Sequence, residues 1–250
     1  LYKEINDFNP NIIITMGGLG LWALTSIDKV GSYRGALTYS NKTKLNRPYK
    51  IMPTYSPFAV LKNYSFRPTV VSDLKKAMQE STTADIVNTE REIYIEPTYE
   101  EVKTFFKECR EENNEDNPLS FDIETASGEI TCIGFAPSPK RSMVVPFRDI
   151  TKKSQTFYDY HTELAVWKEV ADLLQDKTIV KVAQNQTYDV SWLNHKYGIE
   201  VAGTVHDTMH AQHSLQPEME KGLGFLGSIY TNEGAWKNLT SFSKSTKAEE

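Results

Sequence analysis

Cysteine is nearly missing from this chain. Only Cys109 and Cys132 occur in 250 residues, without C-x-x-C spacing, so the chain offers no disulfide framework and no cysteine zinc site. The pair reads as reduced core or surface thiols of a cytosolic protein. Long apolar runs are absent too. Nothing approaches the ~18 residues needed to cross a bilayer, and no leader-like segment opens the chain, so neither a membrane span nor secretion is expected. Nor is there an excess of positive charge. The net charge is -5, which argues against a uniformly basic nucleic-acid binder, yet the sign is unevenly spread. Residues 1–90 hold 11 Lys/Arg against 7 Asp/Glu, whereas residues 91–250 hold 17 against 26. An acidic segment still binds nucleic acid when metals balance its carboxylates. What is present is ordinary for a globular chain, with 39% hydrophobic and 24% charged residues and length for one large or two small domains. The start at Leu1 reads as a processed end or a piece of something longer.

The stretch around which the chain is organised is Ser120-Phe121-Asp122-Ile123-Glu124-Thr125. It opens an apolar alternation that continues through Ile130, Cys132, Ile133 and Phe135, the pattern of a half-buried strand. Alternate strand residues share a face, so Asp122 and Glu124 point outward together while Phe121 and Ile123 enter the core. Two carboxylates so placed repel one another unless hard divalent cations sit between them. An isolated pair of this kind is equally a solvated strand face.

A second stretch changes the balance. Val182-Ala183-Gln184-Asn185-Gln186-Thr187-Tyr188-Asp189 follows the β-rich run Thr178 to Val182 and leads into helical spacing of Val190, Leu193 and Tyr197. A helix beginning near Gln184 would set Asn185 and Asp189 on one face, one turn apart. With both motifs in view, about 65 residues apart, the chain resembles the DEDD superfamily of 3′→5′ exonucleases, and most closely the proofreading domain of family A, DNA polymerase I-like polymerases of the phage type. Phe121-Asp122-Ile123-Glu124-Thr125 matches the family's first motif, and Asn185-x-x-x-Asp189 its second.

The first ninety residues read as an apolar strand, Asn11 to Met16, running into Gly17-Gly18-Leu19-Gly20 and a helical stretch from Leu21 to Thr25. Strands follow at Arg34–Tyr39 and Tyr49–Tyr55, then an amphipathic helix, Val71–Glu80, with Leu74, Ala77 and Met78 inward. This order resembles the C-terminal half of a uracil-DNA glycosylase-like domain at Pro10, Gly17, Arg34-Gly35 and Thr54-Tyr55-Ser56-Pro57. Ser56 stands where that family has its functional His. The resemblance therefore implies a partial, degenerate glycosylase-like fold over residues 1–90, a scaffold or a DNA-contacting platform through Arg34, Lys42, Lys44 and Arg47.

A polar, turn-rich join places the boundary near residue 90, and residues 91–250 form the second domain. Thr98 to Glu101 has the form of a capping box opening a helix. Strands at 121–125, 130–136 and 142–147 predict an antiparallel meander with a turn at Gly128, followed by a helix at His161–Leu174, a strand at Thr178–Val182 and the second-motif helix. The fold class is α/β, a glycosylase-like α/β domain followed by a ribonuclease H-like mixed-sheet domain. His206, Asp207, His210 and His213 have metal-ligand spacing, but Asp207 reads better as a helix N-cap and the histidines as a polar face.

The exonuclease resemblance implies a mechanism. Two Mg²⁺ or Mn²⁺ ions would be held by Asp122, Glu124 and Asp189 against a single-stranded DNA 3′ end, with Asp122 bridging both ions. Asn185, Tyr188 and Thr125 would contact the strand, and Tyr188, Phe121 or Trp192 would stack its last bases. The family's third motif, Tyr-x-x-x-Asp, is missing, so the resemblance implies the fourth carboxylate and a polymerase domain beyond Glu250 and weak or no trimming by this piece alone; the expected location is the cytoplasm, that of the host cell if the chain is phage-encoded. The rival readings are a free-standing DEDD nuclease and a non-catalytic nucleic-acid-binding module.

Overall fold

A computed structural model of the chain describes residues 1–149, 151–152 and 154–235. By their contacts these residues fall into two compact units, one of residues 1–88 with the described residues from Gln212 onward, and one of Thr89–Ala211.

In the first unit, α1 (Tyr2–Phe8) stops where Asn9 turns left-handed at φ 49, a conformation asparagine tolerates, and Pro10 follows. Next come β1 (Ile12–Met16), α2 (Gly18–Thr25), α3 (Val30–Tyr33), β2 (Thr38–Tyr39), β3 (Lys50–Thr54), α4 (Pro57–Lys62) and, after a 3₁₀ turn, α5 (Arg67–Glu80). The sheet order is β1-β3-β2, with β1 parallel and β2 antiparallel to β3. The strand expected at Arg34–Tyr39 is reduced to its last two residues. Gly35 takes φ +70 and breaks the extended run.

The inner face of α5 also differs from expectation. Met78 is 75% exposed, and the buried positions are Thr69, Asp73, Lys76 and Ala77. Apolar spacing misjudged this face because its polar residues are matched. Asp73 pairs with Arg34, and the Lys76 ammonium donates to the carbonyls of Gly35 and Ser228.

The second unit holds a six-stranded mixed sheet in the order β4-β7-β6-β5-β8-β9. Its elements are β4 (Glu92–Ile95), α6 (Tyr99–Glu112), β5 (Leu119–Ala126), β6 (Glu129–Ser138), β7 (Arg141–Pro146), α7 (Tyr160–Leu174), β8 (Lys181–Ala183), α8 (Gln186–Tyr197) and β9 (Val205–Asp207). α9 (Thr208–Leu215) follows, and α10 (Leu223–Tyr230) lies in the first unit. The expected meander is present: β5 pairs antiparallel with β6, and β6 with β7. Ser127 and Gly128, both at positive φ, make the two-residue turn whose twist suits a hairpin. β8 and β9 lie parallel beyond β5. This mixed α/β arrangement is consistent with a ribonuclease H-like exonuclease domain.

The core forms where the period-2 face of β5 and β6 meets the 3.6-period stripes of the helices. Phe121, Ile123, Ile133 and Phe135 come from the strands. Val102, Phe105, Phe106 and Cys109 come from α6, Val166, Val170, Leu173 and Leu174 from α7, and Leu193 from α8. At roughly 1.5–3 kcal/mol for each large apolar side chain, this face fixes the register of β5, since a one-residue slip would bury Asp122 and Glu124. Thr98 caps α6 with the expected reciprocal bonds to Glu101. No described helix is long and apolar enough to cross a membrane.

Candidate active site

The site begins with a difference in strand length. β8 pairs with β5 only at Leu119 and Ser120, so from Phe121 onward β5 runs past the end of its parallel neighbour. Along this overhang Asp122 and Glu124 are exposed, and Phe121 and Ile123 are buried. The sequence alternation predicted this division. A register shift between Glu124 and Thr125 marks a bulge against β6, a device that re-aims side chains beside functional sites.

The overhang leaves the Ile123 amide without a strand partner on that side, and Asp189 supplies one. The Ile123 N–H donates to Asp189 Oδ1 at 3.3 Å. This bond brings Asp189 to the strand that carries Asp122 and Glu124 on either side of Ile123, close enough for the charge of Asp122 to act on it.

Asp189 is 3% exposed. Burial raises its pKa to about 6, the Ile123 amide acts in the opposite direction, and the charge of Asp122 raises it further. The site thus holds a buried carboxylate under like-charge pressure, which a bound cation would relieve. Its donors are all carboxylate oxygens, the set that hard cations such as Mg²⁺ and Mn²⁺ take, so the residues fit such ions. Among the described residues no group of three or more His, Cys, Asp or Glu side chains is placed to hold a metal ion, so what fits the ions here is the chemistry of the donors on β5 and α8.

α8 starts later than its spacing suggested. Asn185 does not lie within the helix but caps it in the left-handed conformation, φ 60 and ψ 47, with its exposed side chain making no cap bond. The reason is conformational: asparagine enters this region where most residues resist it. Asn185 and Asp189 are therefore not one helical turn apart on a shared face, and the Asn185 side chain is open to solvent. Two other expected contacts meet directly, since Thr125 Oγ1 and the Tyr188 hydroxyl lie 2.7 Å apart, tying the end of β5 to α8. Tyr188 is 46% exposed, while Phe121 is buried and Trp192 packs against the core. Of the three stacking candidates, Tyr188 is the exposed one.

The basic residues of the first unit behave differently from one another. Arg34 is 2% exposed and bonds Asp73 twice, Nε to Oδ2 at 3.2 Å and Nη2 to Oδ1 at 2.5 Å, so its role as a DNA contact is corrected to that of a buried ion-pair partner. Lys42 lies 5.5 Å above the Trp22 ring and bonds Ser26. Lys44 is exposed.

One residue carries more than its sequence context suggested. Asp207, at the end of β9, was expected to cap α9, and its Oδ1 does accept from the amides of Met209 at 2.8 Å and His210 at 3.3 Å. It also accepts from Asn185 N at 3.1 Å and Gln186 N at 2.9 Å. No spacing rule reveals this second pair, because the residues stand more than twenty positions apart. Burial alone would raise the pKa of Asp207, but these four amides hold it below the usual carboxylate range. With its oxygens so engaged, Asp207 is a cap and not a metal ligand.

The family model for the 3′-5′ exonuclease matches residues 97–247, more than half of the chain. The chain belongs to the 3′-5′ exonuclease family. Exonuclease domains of this DEDD type are hydrolases of nucleic acid and use two divalent metal ions. Among solved structures, the EXD2 exonuclease domain soaked in Mn and GMP is similar at 18% identity over 55% of this chain and 68% of that one, with a TM-score of 0.37. The same domain soaked in Mn and Mg gives 20% identity, 55% and 67% coverage and a TM-score of 0.38. No curated protein matches the chain in sequence.

Proposed function

We propose that this chain is the N-terminal part of a DNA-directed DNA polymerase and carries its proofreading exonuclease, removing nucleotides from a single-stranded DNA 3′ end. The observation that carries this reading is the bond from the Ile123 amide to Asp189, which brings the second-motif carboxylate to the strand bearing Asp122 and Glu124. These three would hold two Mg²⁺ or Mn²⁺ ions, which when bound activate water and offset charge at the leaving oxygen. The chain's own residues do the rest. β5 presents Asp122 and Glu124 as exposed side chains, α8 fixes Asp189 at the Ile123 amide between them in sequence, and the exposed side-chain amide of Asn185 and ring of Tyr188 orient the terminal nucleotides.

Family membership supports the exonuclease. Resemblance of both motifs to those of family A polymerases supports the polymerase parent. A free-standing exonuclease of the same type would use the same site, and the gene sequence after residue 250 separates the two: a Tyr-x-x-x-Asp motif followed by a polymerase domain upholds the parent, and its absence removes it. For the first unit we propose a degenerate glycosylase-like scaffold, with Lys42 and Lys44 as its nucleic-acid contacts. In support, Ser56 caps α4 by accepting from Ala59 N, so it is engaged in structure where a glycosylase would need a functional histidine.

The test is 3′ trimming of a 5′-labelled single-stranded oligonucleotide by the parent protein in Mg²⁺ or Mn²⁺. Asp122→Ala should lower the rate by a hundredfold or more. An unchanged rate would remove the assigned site.

A further inference from the structure

We propose that Asp207 is a positioning residue of the exonuclease site, a single carboxylate that locks α8 in the one placement where Asp189 reaches β5. The inference rests on the exonuclease reading and adds to it a residue outside the motifs.

The argument starts from the backbone. The first amides of a helix lack acceptors within it; in α8 Tyr188 N turns to the Asn185 carbonyl at 3.1 Å, while the Asn185 side chain provides no cap bond. Left-handed backbone at Asn185 costs about 1 kcal/mol or more and persists only when its surroundings impose it. Asp207 imposes it. β9 lies parallel to β8 with Asp207 opposite Ala183, which brings the carboxylate to the chain segment that turns from β8 into α8. There Oδ1 accepts from Asn185 N and Oδ2 from Gln186 N, while Oδ1 also takes Met209 N and His210 N at the start of α9. One side chain therefore joins two helix starts and the turn between strand and helix. Three residues after Gln186, in the first turn so anchored, stands Asp189 with its bond to Ile123. A shift of α8 by one ångström would break that bond and move a cation ligand, and outer partners of metal ligands commonly govern affinity by 10–100-fold.

The experiment uses the parent protein, with Asp207→Asn and Asp207→Ala compared to Asp159→Ala. Asp159 is a comparable cap, accepting from the amides of His161 and Thr162 at the start of α7, remote in sequence from both motifs. Three readouts are taken: Mn²⁺ affinity by calorimetry without nucleic acid, the Mn²⁺ concentration giving half-maximal trimming, and amide hydrogen exchange at Ile123, Asn185 and Gln186. Asp207→Ala should weaken Mn²⁺ binding at least tenfold and raise the half-maximal concentration in parallel, with faster exchange at all three amides. Asp207→Asn, which keeps one acceptor oxygen, should lie between it and wild type. Asp159→Ala should lower Tm without moving any of the three. If Asp207→Ala does not fold, Asp207→Asn carries the test alone. Wild-type Mn²⁺ affinity and wild-type exchange at Ile123 in a folded Asp207 variant would overturn the proposal. A wild-type parent protein that neither binds Mn²⁺ nor trims would instead overturn the exonuclease reading, while the exchange data still report whether Asp207 holds α8.

Discussion

Replacing Asp189 with asparagine should stabilise the metal-free protein while abolishing its activity. The carboxylate sits 3% exposed beside Ile123, and burial raises its pKa from 3.8 to about 6. A raised value means that the fold favours the protonated form, so the group's contribution is fully present below about pH 3.8 and is lost as pH rises through about 6. At about 1.4 kcal/mol per pH unit, that interval makes ionised Asp189 a burden of ~3 kcal/mol on the folded state above pH 6. Asparagine has the same size and keeps an oxygen to accept from Ile123 N, so Asp189→Asn removes the charge without opening a cavity. In EDTA at pH 7.5 the variant should gain about 1–3 kcal/mol, which for a chain of this size raises Tm by about 2–10 °C. At pH 4 the gap should close. Added Mn²⁺ should raise the Tm of wild type but not of the variant. Thermal melts at the two pH values decide the matter. A variant less stable than wild type at pH 7.5, or a gap independent of pH, would show that Asp189 is an ordinary structural carboxylate.

The other predictions concern residues that the structure reassigned or singled out. Arg34→Ala strips a buried carboxylate of its partner and should cost about 3–5 kcal/mol, read as a Tm lower by ~10 °C or more, with oligonucleotide affinity of the folded protein unchanged. Loss of DNA affinity without loss of stability would reinstate Arg34 as a contact. Tyr188→Ala should raise KM for a single-stranded substrate by about 5–100-fold, the worth of one stacked base, with a smaller effect on kcat. Tyr188→Phe loses only the hydroxyl bond to Thr125 and should change stability by about 0.5–1.5 kcal/mol, checked by denaturant titration. Equal effects of the two substitutions on KM would argue against stacking.

The site's legibility in the sequence followed the range over which its determinants act. β5 was readable because alternation over Phe121 to Ile133 is a local signal with one outcome, and the same regularity placed α7 and the capping box of Thr98. The start of α8 was misplaced by two residues because helical spacing says nothing about a left-handed asparagine at its cap. β9 was not expected, since a three-residue edge strand carries too few positions for a pattern, and β8 shrank to Lys181–Ala183 for the same reason. Burial of Arg34 and exposure of Met78 depend on Asp73, 39 positions from Arg34, and a composition that looks basic on paper does not disclose which cations are already spent inside. Asp207 is the sharpest case. Its role at α9 is adjacent in sequence and was expected, but its role at α8 exists only once β9 lies beside β8.

Calorimetric titration of Mn²⁺ into the full chain, wild type against Asp122→Asn, bears most directly on whether carboxylates from β5 and α8 form one cation site. Wild type should bind the ion in the absence of nucleic acid, and Asp122→Asn should lose that binding while melting at a temperature no lower than wild type. Undiminished Mn²⁺ binding by the folded variant would contradict the account.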